Sequence, residues 1–291
     1  MWKDIEDAIR AATGEPFAIA CRRSAGGGCI NEAWILEGAD GRHLFVKLNG
    51  AHLADMFAAE AQALEELSRA GGPRVPRPVA HGTAGGRAYL VMEYLPLGGR
   101  GDPAALGEAL ARLHAVEAER FGWHRDNTIG STPQPNPWHE DWIEFLRRQR
   151  LGHQLDLAAA QGYGGELHER GQRLLEALPA FFQGYRPRPS LLHGDLWSGN
   201  VDYTEAGEPV VFDPASYYGD READLAMTEL FGGFPRAFYD AYRQAAPLDP
   251  GYGVRRDLYN LYHVLNHLNL FGSGYLGQAR ALVDRLLAEL G

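Results

Sequence analysis

His193-Gly194-Asp195-Leu196-Trp197-Ser198-Gly199-Asn200, followed by the apolar Val210-Val211-Phe212 and then Asp213, is the stretch that decides the fold. Residues 191 to 215, LLHGDLWSGNVDYTEAGEPVVFDPA, alternate short apolar runs with glycine and acidic residues, a pattern that predicts strand, loop, strand, turn, strand. Asp195 and Asn200 then share one loop, and Asp213 stands just beyond the last strand. A carboxylate in such a loop can orient an attacking hydroxyl and accept its proton, while amide and carboxylate oxygens can hold magnesium on nucleotide phosphates. Asp195 is therefore the expected base, and Asn200 with Asp213 the expected Mg2+ ligands. The bland reading is that acidic turns only cap backbone amides.

Working outward, the chain changes character near residue 96. Residues 1 to 12 have helical spacing; FAIACRR (17 to 23), AWILEG (33 to 38) and HLFVKLN (43 to 49) read as antiparallel strands, and a helix is expected from about Leu53 to Ala70, stopped by Gly71, Gly72 and Pro73. RVPRPV (74 to 79) is extended because of its two prolines, and RAYLVMEYL (87 to 95) is an apolar strand. Beyond, ALGEALARLHAVEA (105 to 118), DWIEFLRRQRLGHQLDLA (141 to 158), ELHERGQRLLEALPAFF (166 to 182) and the stretch from about Val254 to Leu290 have helical periodicity. The expected class is α+β, two-lobed, with a β-rich amino-terminal lobe (1–95), a mainly helical carboxy-terminal lobe (96–291) and a hinge near residues 93 to 99.

The amino-terminal lobe carries its own charged pair. Lys47 lies inside the apolar strand Leu44-Phe45-Val46-Lys47. On the next helix Leu53, Phe57, Leu64 and Leu67 form an apolar stripe, and Glu60 falls on it where a leucine would be expected. An unpaired buried carboxylate is costly, so a Lys47–Glu60 ion pair is the joint solution; two misplaced surface charges are the alternative. Gly26, Gly27 and Gly28, between the first two strands, let backbone amides approach phosphates closely, although glycine-rich turns are common and the run departs from G-x-G-x-x-G. Its place before Lys47 matches the chain order of a kinase. Met92, Glu93 and Leu95 then fall at an adenine-binding hinge, and Asp195, Asn200 and Asp213 match H-R-D-x-x-x-x-N with its downstream Asp, Gly194 standing for the Arg.

Bulk properties narrow the partners. With 291 residues and 45% hydrophobic composition the chain can bury a sizeable core. A formal net charge of -10 disfavours a nucleic-acid partner and suits cationic or neutral small substrates. The opening MWKDIEDAIRAATG has no apolar leader region and no run of about 18 apolar residues occurs, so a cytoplasmic protein with no membrane partner is expected. The two cysteines, Cys21 and Cys29, are expected to be reduced thiols.

Several long strings carry a resemblance over nearly the whole chain: GGGCINEAW (26 to 34), FVKLNG (45 to 50), VPRP (75 to 78), LLHGDLWSGN (191 to 200), FDPASYYGDREADLAMTELFGGFP (212 to 235), LNHLNLFG (265 to 272) and the FG…DN..G..PQPNPW..DW..F pattern from Phe121 to Phe145. The sequence resembles the fructosamine (ketosamine) kinases, relatives of the aminoglycoside and choline phosphotransferases with a protein-kinase-like fold. The resemblance implies transfer of the ATP γ-phosphate, with Mg2+, to a sugar hydroxyl of a ketosamine, either a small-molecule sugar amine or a glycated lysine, in a deglycation role. Oligomeric state stays open between monomer and homodimer.

Carried over by resemblance, Asp195 is the catalytic base, Lys47 and Glu60 anchor phosphates, and Asn200 and Asp213 bind metal. Trp197 could stack on a sugar or anchor the loop from below, and both roles stay open. Tyr217, Tyr218, Trp138, Trp142, Asn266, His267 and Asn269 are candidate acceptor residues; His267 and Asn269 read equally well as satisfied polar groups at a core edge. Asp224 is expected to support the loop backbone without a chemical role. Cys29 is a redox candidate, since a cysteine in this loop is a family trait. The rivals are an aminoglycoside- or choline-type phosphotransferase and, in another class, a pseudokinase binding module, against which the intact set of Lys47, Glu60, Asp195, Asn200 and Asp213 speaks.

Overall fold

A computed structural model describes residues 1–26 and 30–290, so Gly27, Gly28 and Cys29 lie outside the described residues. The chain divides into two compact units: Met1–Gly101 with Asp202–Pro214, and Asp102–Val201 with Ala215–Gly291.

The first unit is built on a five-stranded antiparallel sheet. Helix α1 (Trp2–Thr13) precedes β1 (Ile19–Ala25), β2 (Glu32–Gly38) and β3 (His43–Gly50); α2 (Ala54–Arg69) comes next, then β4 (Pro78–Ala84) and β5 (Arg87–Glu93), and the sheet order is β1-β2-β3-β5-β4. Strand β4 takes the edge, where the missing N–H of Pro78 is tolerated, and its register shifts between Pro78 and Ala80. Strand alternation then sorts the two faces. Val46 and Leu48 of β3 and Tyr89 and Val91 of β5 bury Ile5 and Ile9 of α1. Lys47, between Val46 and Leu48, is turned to the opposite face, toward α2 with its fully buried Phe57 and Leu64.

A hairpin of Val201–Tyr203 and Pro209–Val211 also belongs to this unit from Asp202 onward. Arg74 N–H donates to Pro209 O at 3.0 Å, and Val211 N–H donates to Arg74 O at 2.9 Å. The Arg74 guanidinium reaches Glu208 at 3.0 Å. The observed division differs from the single boundary expected after residue 95 in two respects: the first unit runs on to Gly101, and backbone bridges at Arg74 and Leu97 draw residues 202 to 214 into it.

The second unit is helical. Helix α3 (Pro103–His114) starts with Pro103 and is capped by the Asp102 carboxylate, which accepts from Ala104 N–H at 2.8 Å. A helical run over residues 142 to 163 alternates α turns (Trp142–Phe145, His153–Ala158) with π turns (Leu146–Gly152, Ala159–Tyr163). Helices Glu166–Ala177, Glu222–Leu230, Arg236–Ala245, Tyr252–Phe271 and Leu276–Ala288 complete it. The helical stretch expected from about Val254 to Leu290 holds two helices, separated at Gly272 with φ 88°. Among the described residues no helix is long and apolar enough to cross a membrane.

Candidate active site

In the first unit three charged side chains meet. Lys47 Nζ donates to Glu60 Oε1 at 2.5 Å and to Asp213 Oδ1 at 2.5 Å. The first contact is the ion pair expected from the apolar stripe; the second follows from the hairpin, which delivers Asp213 two residues beyond Val211. Side-chain exposures of 8% for Lys47, 11% for Glu60 and 45% for Asp213 make the pair nearly dry and leave the third partner open to solvent. Burial works against the Lys47 ammonium, but the charges of Asp213 and Glu60 outweigh it and hold the group well above its ordinary pKa. Burial pushes the Glu60 carboxyl up, Lys47 offsets only part of that, and Asp213 adds to the rise. Two carboxylates around one ammonium leave excess negative charge on the open side, which favours a cation there. Asp213 has φ 58°, the one left-handed non-glycine among the described residues, so its backbone is held in a conformation the surrounding structure must enforce.

In the second unit the loop of Asp195 begins where Ser190–Leu191 pairs with Tyr218–Gly219. Asn200 closes a short turn, its N–H donating to Trp197 O at 2.9 Å. Its Nδ2 donates to Asp195 O at 2.9 Å and Oδ2 at 3.4 Å. The Asp and Asn singled out by spacing are thus joined by the loop's own hydrogen bonds. Gly194 stands in place of Arg for a steric reason: its φ is 86°, and a Cβ there would collide with the carbonyl of Ala215.

Behind the loop, Asp224 accepts from His193 N–H at 2.7 Å and Gly194 N–H at 2.8 Å, the support expected of it. His114 is an addition that sequence reasoning missed. It contacts Asp224 Oδ2 through Nε2 at 3.1 Å and Tyr242 Oη through Nδ1 at 2.8 Å. Burial alone would raise the Asp224 carboxyl, but the hydrogen bond and charge of His114, the charge of His193 and the Gly194 amide bring it below its ordinary value. The only signal for His114 in the chain is a histidine at the end of the apolar pattern ALGEALARLH, and it is 2% exposed.

The other expected site residues fall into several settings. Trp197 is 37% exposed and meets Phe231 edge-on, with ring centroids 6.0 Å apart. His267 lies 4.9 Å from Phe231. Trp138 and Tyr218 face each other at 6.2 Å. Tyr217 is buried, stacked on Phe145, with the Arg150 guanidinium 3.9 Å from its ring centroid. Trp142 is buried and donates Nε1–H to Tyr259 Oη at 3.1 Å. Asn269 donates Nδ2 to Gln154 O at 3.0 Å and Oε1 at 2.7 Å, and Asn266 accepts from Gln154 at 3.3 Å. At the end of β5, Met92 and Leu95 are buried, while the Glu93 carboxylate bridges Arg74 at 3.4 Å and Arg77 at 3.0 Å. Of the glycine-rich stretch Gly26 is described; a Cβ on it would meet nothing within 4 Å.

Comparison with known proteins points one way. The family profile described as fructosamine kinase matches residues 1–289. A Synechocystis protein named "Probable ketoamine kinase" is 48% identical over 98% of this chain and 97% of its own length. The chloroplastic protein-ribulosamine 3-kinase of Oryza sativa subsp. japonica is 44% identical over 98% of this chain and 85% of its own. Among solved structures, a Haemophilus somnus protein provisionally assigned as a fructosamine-3-kinase superposes with TM-score 0.90 at 29% identity, covering 99% of this chain and 98% of that one. A macrolide 2'-phosphotransferase of Brachybacterium faecium, at TM-score 0.60 and 17% identity over 97% of each chain, shares the fold. The α+β, kinase-like fold and the family resemblance carried by the sequence strings agree with these matches, and the chain is a phosphotransferase that belongs to the fructosamine kinase family.

Proposed function

We propose that the chain transfers the γ-phosphoryl group of ATP to a sugar hydroxyl of a ketosamine, a fructosamine or ribulosamine, as a deglycation enzyme of the cytoplasm. The observation that carries the reading is the shared contact of the Lys47 ammonium with Glu60 and Asp213, each at 2.5 Å. A dry lysine held between carboxylates, one of them open to solvent, suits a role on nucleotide phosphates beside a divalent cation. The ketosamine acceptor is supported by relatives named ketoamine and ribulosamine kinases.

In this reading Asp195 orients the sugar hydroxyl and takes its proton as the oxygen attacks the γ-phosphorus, and the bond to the β-phosphate oxygen breaks. Lys47 neutralises charge on the α- and β-phosphates, and Glu60 fixes its direction. Asn200 and Asp213 would hold Mg2+. The donor types fit: Asn200 bonds the loop through Nδ2 and Asp213 meets Lys47 through Oδ1, and an amide oxygen and a carboxylate are the hard oxygen donors such a cation takes. When bound, the ion supplies charge neutralisation on the phosphates. Gly26, Gly27 and Gly28 would cover the phosphates, and backbone groups at Met92, Glu93 and Leu95 would meet adenine. Trp197, Trp138, Tyr218 and His267 would form the acceptor side, with Tyr217 and Asn269 supporting it.

An ATP-consumption assay tests this with deoxyfructosyl and ribulosyl amines beside choline and an aminoglycoside. Turnover is expected with the sugar amines. Turnover only with choline or the aminoglycoside would remove the ketosamine assignment, and none with any acceptor would favour a binding module.

A further inference from the structure

A row of aromatic rings leads away from the catalytic loop within the second unit. Trp197 sits two residues after Asp195, and its indole lies where a Cβ on Gly199 would otherwise be. Its ring meets Phe231, which is 4.9 Å from His267. His267 lies 5.5 Å from Phe271 and 5.1 Å from Tyr275, and those last two are 6.3 Å apart. Local structure fixes the row. Phe231 directly follows the helix Glu222–Leu230, whose Asp224 grips the loop backbone. His267 and Phe271 are four residues apart on helix Tyr252–Phe271 and so share a face. Gly272, with φ 88°, then turns the chain so that Tyr275 rejoins them.

The row opens to solvent at both ends. Trp197 is 37% exposed and Phe271 54%, two of the four large apolar side chains left exposed among the described residues. We infer that Phe231, Phe271 and Tyr275, continuing from Trp197 and His267, form a subsite for the substituent on the ketosamine nitrogen, and that it favours amines carrying an aromatic or extended aliphatic group.

The inference rests on the ketosamine reading, and three features argue for this occupant. The row starts beside the base that would face the sugar, so the rings farther along it would meet the next part of the acceptor, the nitrogen and its substituent. The nitrogen of a ketosamine is a secondary ammonium at neutral pH, and aromatic faces attract cations. His267 Nδ1–H donates to His263 O at 2.8 Å, which fixes the tautomer and leaves Nε2 as an acceptor for an N–H donor. Burial lowers the His267 pKa and so keeps the ring in that neutral form. Beyond the nitrogen, Phe271 and Tyr275 offer ring faces and edges to an apolar group.

The test compares one deoxyketose carried on methylamine and on a phenylalkylamine, in the wild type, Phe271→Ala and Tyr275→Ala. The wild type is expected to favour the phenylalkyl acceptor about tenfold in kcat/KM, through KM, and each variant to shrink that ratio below about threefold. A uniform loss on both acceptors, which a structural role would produce, leaves the ratio unchanged and overturns the inference. Equal kcat/KM for the two acceptors in the wild type overturns it alone, leaving the ketosamine reading intact; no turnover with either overturns both.

Discussion

The lysine cluster of the first unit and the aspartate loop of the second are held by opposite means. Lys47 is fixed by charge, with two carboxylates at 2.5 Å and little water around the pair. Asp195 and Asn200 are fixed by shape and neutral donors: a positive-φ glycine, a short turn, amide bonds within the loop, and backbone N–H groups gripped from behind by Asp224. The difference matches the work each would do in the proposed reading. A cationic anchor has to keep its charge while buried, which only opposing charge achieves. A proposed base has to keep its carboxylate reactive, and the loop around Asp195 is held chiefly through its backbone, with a longer contact from Asn200 Nδ2 to Asp195 Oδ2 at 3.4 Å.

That contrast can be broken most sharply at Asp195. Asp195→Asn keeps the loop's shape and removes the proton acceptor, so turnover is expected to fall about 10²–10⁴-fold while ATP affinity, measured by calorimetry, stays close to wild type. Wild-type turnover in this variant would take the base assignment away.

Lys47→Met should act on stability as well as on nucleotide affinity. It strands Glu60, 11% exposed, without its cation, a loss expected to cost about 3–5 kcal/mol in denaturant unfolding. The double variant Lys47→Met/Glu60→Leu is expected to recover most of that stability and none of the activity. If the second change brought no recovery, the pair would not be the unit described.

Smallest is Asp224→Asn, which weakens the grip on two loop amides by about 1–3 kcal/mol and is expected to lower kcat more than it raises the KM for ATP. Its acid response has a definite sign. The folded pKa of Asp224 is lowered from 3.8, so its contribution is fully present above that value and is lost as pH falls through the folded pKa. The variant should lose stability less steeply than wild type in that acid window, and an identical slope would argue against the anchor.

Much of this arrangement is legible in the chain. The alternation of HLFVKLN places Lys47 on the face away from Val46 and Leu48, and the misfit of Glu60 on an apolar stripe names its partner. Spacing alone puts Asp195 and Asn200 in one loop. His114 is not legible, because a histidine ending an apolar helical pattern reads as core until Asp224 and Tyr242 are seen against its two nitrogens. Nor is the place where that helical stretch from about Val254 to Leu290 divides legible, since the φ of Gly272 is set by the structure. The row from Trp197 to Tyr275 is legible only in part, because its members come from three separate segments.

By itself the sequence determined which residue types share a loop, a strand face or a helix stripe, since those depend on periods of a few residues set by backbone geometry. Tertiary structure decided the rest: that Asp213, 166 positions from Lys47, shares its ammonium, that residues 202 to 214 return to the first unit, and that α3 supplies a histidine to the loop's anchor. Contacts between distant segments are chosen by the pairing and packing of whole elements, and no local period encodes them.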